Sequence, residues 1–426
     1  MKIKRTILFT LLCMLTTAAF ADEPFRRHRY DALDTLPITP NDIVFVGNSI
    51  TNMHEWWEAF GCRHNIKNRG VSGALSSETL QHLRHVVKGK PKKIFLMIGT
   101  NDLNTKGMED GRLVTANISK MLQMIRSGSP KTQVYVQSIL PSAVGMRTPA
   151  KIAMLNKAIK SLCLEANATY IDLEGELSGV PRMEHTLDGL HLTASGYRLW
   201  CHRIAPLVLD ADTADTVYPP DTQSRQQTAG LDRSLGMRAT YFSMLPVGEG
   251  DVLMIGDEMI HGGEWHELLD SPKVKNRGTG WGYPGCSMET IGRNVEVMFL
   301  RSSGRGPSAV CLYAGTDEAL HGTSLEDMMQ MYAHVVAGIK SKAPDAAIRL
   351  LSLLPVPDAA VNAERIRPFN EKLRALADKD SRLQYVDIYT PMESNGIASP
   401  ELFIDSYPNG KGNAVIAAKV AEALGM

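Results

Sequence analysis

The stretch Ile43-Val44-Phe45-Val46-Gly47-Asn48-Ser49-Ile50-Thr51 runs four apolar residues into a glycine and then into polar side chains. A short apolar run stopped in this way reads as a strand buried on both faces, as the strands of parallel sheets are. Similar runs occur at Ile94-Phe95-Leu96-Met97-Ile98, at Val134-Tyr135-Val136 and at Thr169-Tyr170-Ile171-Asp172-Leu173. Between them Ile118, Met121, Leu122 and Ile125 fall at helical spacing, and residues 152–164 behave likewise. Strands alternating with helices predict an α/β fold, a parallel sheet with helices on both faces. Sites in such sheets lie at the carboxyl ends of the strands. Ser49 and Asn101 each stand just past such an end.

The pattern occurs twice. Leu36-Pro37, Gly47 and Glu55-Trp56 return as Leu245-Pro246, Gly256 and Glu264-Trp265, each 209 positions later. Lys67-Asn68-Arg69-Gly70 returns as Lys275-Asn276-Arg277-Gly278, Gly99-Thr100 as Gly315-Thr316, Leu140-Pro141 as Leu354-Pro355 and Asn156 as Asn370. So long a period is a domain duplication rather than a solenoid. A length of 426 residues suits two domains of ordinary size. The expected division is residues 22–208, a polar linker at 209–236 containing Pro219-Pro220, and residues 237–426.

The first 21 residues read as an export signal: Lys2, Lys4 and Arg5, an apolar stretch from Ile7 to Leu15, then Ala19-Phe20-Ala21. The apolar stretch is shorter than the roughly 20 residues a membrane span needs. The mature protein is therefore expected in the periplasm or outside the cell, without a membrane span. With 46 basic and 46 acidic side chains there is no basic surplus to favour nucleic acid or an anionic membrane as partner. Cys62, Cys163, Cys201, Cys286 and Cys311 remain after cleavage, an odd number at wide spacings that suit neither a metal site nor a disulfide framework. They read as small buried hydrophobes.

Chemistry enters at four segments: Gly47-Asn48-Ser49-Ile50-Thr51, Asn68-Arg69-Gly70-Val71-Ser72-Gly73, Gly99-Thr100-Asn101-Asp102 and Asp188-Gly189-Leu190-His191. A serine hydroxyl needs a base to take its proton. His191 can be that base, with Asp188 as the acceptor that orients it. Acyl transfer also needs donors aimed at the developing oxyanion. The N–H of Ser49, the N–H of Gly73 and the side-chain amide of Asn101 make a fitting trio. Each residue also has a structural reading: Ser49 as a helix cap, Gly73 as a turn, Asn101 as a loop closure, His191 as a surface histidine. Trp56 and Trp57 suit stacking on a sugar ring and core or lid packing equally.

Together, in this order, the segments resemble the conserved blocks of the SGNH (GDSL-like) hydrolases. That resemblance implies a flavodoxin-like fold, ester hydrolysis through an acyl-enzyme without cofactor or metal, and five roles. Ser49 would be nucleophile, Gly73 and Asn101 would complete the oxyanion hole, and Asp188 and His191 would form the rest of the triad. Asn48 departs from the family's usual Asp, at a position without a named catalytic role. Within the family, the tandem arrangement and the stretch Lys92–Leu103 look most like exported carbohydrate acetylesterases, including those acting on O-acetylated sialic acids. The expected substrate is thus a small-molecule or glycan ester. A platelet-activating-factor-like acylhydrolase and a non-catalytic secreted glycan-binding protein are the alternatives.

In the second copy Glu258 answers Ser49, and Trp281 or Gly280 answers Gly73. Asp317 answers Asn101, and Asp405-Ser406-Tyr407-Pro408 carries no histidine. The expectation is a catalytically degenerate domain. A second reading makes Asp257, Glu258, Asp317 and Glu318 a metal or acid/base site.

Overall fold

Five parallel strands form the first sheet: β1 (Ile43–Gly47), β2 (Ile66–Gly70), β3 (Lys93–Met97), β4 (Gln133–Gln137) and β5 (Thr169–Ile171), in spatial order β2-β1-β3-β4-β5. The second copy repeats this with β6 (Val252–Gly256), β7 (Val274–Gly278), β8 (Ala309–Tyr313), β9 (Ala347–Leu351) and β10 (Leu383–Val386), in order β7-β6-β8-β9-β10. This is the doubly wound, flavodoxin-like order, whose switch point between β1 and β3 is where such folds place their sites. The computed structural model describes residues 23–178, 185–186, 188–210, 237–280 and 286–426. The expected export signal, most of the expected linker and Trp281 lie outside these residues. Among the described residues no helix is long and apolar enough to cross a membrane.

The sequence pattern missed β2 and β7 as strands. Ile66-Lys67-Asn68-Arg69-Gly70 is polar, yet all five residues are buried. Both strands are sheet edges, and what buries their polar side chains is the other copy. Arg69 donates twice to Glu267 at 2.8 and 2.9 Å, and Arg277 donates twice to Glu58 at 2.8 and 2.9 Å. The Arg277 and Glu58 side chains are both fully buried. Burial alone would raise the Glu58 carboxyl, but Arg277 and Lys275 hold it below its ordinary value. Trp57 stacks on His266 with ring centroids 4.5 Å apart, and these two positions are themselves 209 residues apart.

The segments leading into the two sheets are exchanged. Arg29 donates to Gly70 O of its own copy at 3.4 Å and to Gly262 O and Glu264 of the other copy, both at 2.5 Å. Arg238, its counterpart, donates to Gly278 O at 2.7 Å and crosses to Met53 O at 2.7 Å and Glu55 at 2.8 Å. These contacts thus recur with the copies interchanged, the geometry of an isologous two-fold interface built within one chain. One hydrophobic cluster accordingly runs from Trp56 and Trp57 through to Trp265 and the second sheet.

Five cysteines, Cys62, Cys163, Cys201, Cys286 and Cys311, are unpaired, and all but Cys62 are buried.

Candidate active site

Strand β1 ends at Gly47, and the next turn is a helix of four residues, Ser49–Asn52. Its cap is Asn48, whose side-chain oxygen accepts the Ile50 amide at 3.0 Å. Capping is therefore the work of Asn48, and the Ser49 hydroxyl is left for other partners. That hydroxyl lies 2.9 Å from His191 Nε2. On the far side of the ring, His191 Nδ1 is 2.7 Å from Asp188 Oδ2, while Asp188 Oδ1 accepts the backbone amides of Leu190 and His191 at 2.9 and 2.8 Å. Burial would raise the Asp188 carboxyl, but the His191 ring and these two amides hold it down at about 2. An ionised Asp188 requires the proton on Nδ1, which leaves Nε2 to accept from Ser49.

Each of the three expected oxyanion donors has a defined setting. The Ser49 amide lies in the first turn of its helix, where no carbonyl four residues back is available to it. Gly73 adopts φ +78°, a conformation that side-chain-bearing residues rarely take. Asn101 spends one side-chain N–H on Ala74 O at 3.0 Å, which leaves the second.

Sequence reasoning missed Arg147. Its buried guanidinium donates to Thr100 O at 2.8 Å and reaches Asn101 Oδ1 at 3.4 Å. Together with the Ala74 bond, that contact fixes the Asn101 amide with its oxygen toward Arg147 and its nitrogen toward Ala74 O. A lone arginine in the stretch 141–148 carries no sequence signal for such a role. Tyr197 was also missed: its hydroxyl donates to Ile50 O at 2.7 Å and ties the helix after His191 to the helix of Ser49.

The sugar-stacking role expected for Trp56 and Trp57 is corrected. Their exposures are 1% and 2%. Trp56 stacks on Phe45 at 4.2 Å and donates its indole N–H to Thr51 O, while Trp57 lies on His266 in the interface between copies. Neither ring is open to a ligand. The recurrence of Glu55-Trp56 as Glu264-Trp265 belongs to this packing.

At the equivalent place in the second copy, Asp257 caps its helix through Met259 N at 2.9 Å, and Glu258 stands where Ser49 does. Tyr407 donates to Glu258 at 3.3 Å. Glu318 accepts the Met288 amide at 2.7 Å, and Asp317 lies 3.1 Å from His321. Burial, with Glu258 adding to it, pushes the Asp257 carboxyl well above its ordinary value. Each of these carboxyl groups has a cap or local partner. Gly280, at φ +114°, ends the described stretch here. Elsewhere, Glu264, His266 and Glu267 lie close enough to hold a cation. Glu264 is already paired with Arg29 and Glu267 with Arg69, so that group is an ion-pair network of the interface.

The family model described as GDSL-like lipase/acylhydrolase matches residues 45–199 and again 257–415, one match per copy. A curated relative, a multidomain esterase of Ruminococcus flavefaciens, is 27% identical over 207 residues, covering 46% of this chain and 24% of the relative. The chain thus matches about a quarter of that protein's length. Among solved structures, a GDSL-like lipase of Bacteroides thetaiotaomicron is 24% identical with TM-score 0.35, covering 40% of this chain and 89% of that one. A carbohydrate esterase family 3 protein of Talaromyces cellulolyticus is 20% identical with TM-score 0.34, covering 40% and 97%.

Proposed function

This chain belongs to the GDSL-like lipase/acylhydrolase family, and from that premise we propose that its first copy is a serine esterase acting through an acyl-enzyme. The observation that carries the proposal is the continuous chain Ser49 Oγ, His191, Asp188, at 2.9 and 2.7 Å. In the proposed reaction Ser49 Oγ attacks the ester carbonyl while its proton passes to His191 Nε2. The oxyanion forms against the amides of Ser49 and Gly73 and the free N–H of Asn101. Collapse expels the alcohol, which takes the proton from His191. Water, deprotonated by the same imidazole, then attacks the acyl-serine and releases the carboxylic acid and free Ser49. No step calls for a metal or cofactor.

The substrate we propose is a short acyl ester, an acetyl group on a carbohydrate such as a sialic acid or a plant or host glycan. Its support is the sequence resemblance, since the two buried tryptophans no longer contribute. The exposed apolar side chains Val144 and Met146 sit in a segment whose Ala143 amide donates to Gly189 O of the base loop at 2.8 Å. The second copy we read as a domain without turnover, and the first 21 residues as an export signal.

Hydrolysis of 4-nitrophenyl acetate by the full chain and by Ser49→Ala tests the chemistry. Turnover that survives the substitution would contradict it. Acetate release from O-acetylated sialic acid, acetylated xylan and a phospholipid panel tests the substrate; a preference for long acyl chains overturns the acetyl assignment.

A further inference from the structure

We propose that the leading segment of the second copy, Met237–Phe242, is a positioning element of the first copy's active site, acting through Arg238, Thr240 and Tyr241. The inference rests on the esterase reading above and gives the second copy a part in that reaction.

A helix of four residues cannot hold itself, because nucleation is unfavourable and its last carbonyls have no partners inside it. In Ser49–Asn52 those carbonyls are held by side chains. Tyr197 donates to Ile50 O at 2.7 Å, Trp56 to Thr51 O at 2.8 Å and Asn68 to Asn52 O at 3.1 Å. Met53 O, the cap, takes two donors, Arg238 Nη1 at 2.7 Å and Tyr241 Oη at 2.5 Å. Both come from the second copy.

The base is held from the same side. The helix Ala194–Leu209 begins three residues after His191, and its cap Thr193 makes no side-chain cap bond. Its first amide, Ala194 N, donates instead to Thr240 Oγ1 at 3.0 Å. Tyr241 meets His54 and Tyr197 edge-on at 5.6 and 5.5 Å, closing the gap between the two anchors. One short segment thus fixes the end of the nucleophile's helix and the start of the helix that follows the base. The 2.9 Å Ser49–His191 contact depends on how these two elements sit against each other.

The pseudo-two-fold supplies a control. Asp31, 209 positions before Thr240, accepts the Gly410 amide at 2.7 Å, at the start of the second copy's last helix. Arg29 likewise holds Gly262 O, the counterpart of Met53 O. The contacts of Arg238 and Thr240 therefore have counterparts where no triad stands, while Tyr241 is answered by Ala32, which carries no hydroxyl. If they merely glue the copies together, substitutions on either side have equal consequences.

The test compares full-length Thr240→Val, Thr240→Ser, Tyr241→Phe and Asp31→Ala with wild type and Ser49→Ala. It reads kcat and KM for 4-nitrophenyl acetate separately, and the rate of Ser49 labelling by phenylmethylsulfonyl fluoride, well below each melting temperature. Because small misplacements of reacting groups cost rate steeply, Thr240→Val and Tyr241→Phe are expected to lose about 10-fold in kcat with KM nearly unchanged. Labelling should slow in parallel, Thr240→Ser should recover most of the rate, and Asp31→Ala should keep the wild-type kcat. The inference is overturned if Thr240→Val and Tyr241→Phe turn over like wild type, or if Asp31→Ala loses as much as they do. A wild-type protein without Ser49-dependent turnover sinks the esterase reading itself, and this inference with it.

Discussion

Asn48 and Asp257 do the same thing in the two copies, accepting the second amide of a four-residue helix at 3.0 and 2.9 Å. One residue later the copies part: Ser49 faces an imidazole and Glu258 faces a tyrosine hydroxyl. The comparison separates fold from chemistry within a motif that a sequence presents as one unit. Asp102 and Glu318 likewise both anchor the first amide of the helix that follows the second strand of their sheet, Ser76 N and Met288 N. Asn156 and Asn370 both clamp the backbone after the fourth strand of each sheet, at Ile139 and Leu353. A Cβ on Gly47 or Gly256 would sit 2.6 or 2.3 Å from a carbonyl of the neighbouring strand, so both copies keep glycine there. What the second copy lacks is the serine, the histidine and the Asn101 amide, which acyl transfer alone requires.

Ser49→Ala in the full chain breaks the comparison most sharply, because it leaves the second copy whole. A loss on the order of 10^6-fold in kcat is expected from removal of a triad nucleophile. Next comes the interface that the copies share. Glu58→Ala strips Arg277 of its buried partner, and loss of one member of such a pair costs about 3–5 kcal/mol. Urea unfolding monitored by tryptophan fluorescence reads that cost. A change below 1 kcal/mol would mean that the bidentate pair contributes little.

Asn101→Asp writes the second copy's residue into the first. It would replace the proposed oxyanion donor with a carboxylate, and loss of such a donor costs about 3–4 kcal/mol in the barrier, or 10^2 to 10^3 in kcat. The carboxylate should make the loss larger than that of Asn101→Ala, and the reverse order would count against Asn101 as a donor. The smallest effect is that of pH. Asp188 is held at about 2, below its ordinary carboxylate value, so its contribution is complete above that ordinary value and is lost only as pH falls through about 2. His54, the other imidazole close to the nucleophile helix, is kept neutral chiefly by burial. A base acts only when neutral, so kcat/KM should fall in acid wherever His191 carries a proton. A flat profile would exclude His191 as the base.

The apolar strands β1, β3 and β4 were legible in the sequence because burial on both faces leaves an uninterrupted hydrophobic run. β2 and β7 were not, because their partners lie in the other copy and are charged, so Lys67 and Arg69 read as surface residues. The same blindness misplaced Trp57, whose ring meets its own repeat counterpart His266, whereas Trp56 packs inside its own copy on Phe45. The proposed triad was legible as a set of residue types in order, and the folded chain brings Ser49, Asp188 and His191 within hydrogen-bonding distance. Arg147, Thr240 and Tyr241 were invisible, because what they do depends on backbone carbonyls and amides that only the folded chain brings near.

The central claim, that chemistry belongs to one copy of the pair, is tested most directly by intact-mass analysis after exposure to phenylmethylsulfonyl fluoride. One adduct per chain is expected, located at Ser49 and absent from Ser49→Ala. An unlabelled wild type, a second adduct in residues 237–426, or labelling that survives Ser49→Ala would contradict it.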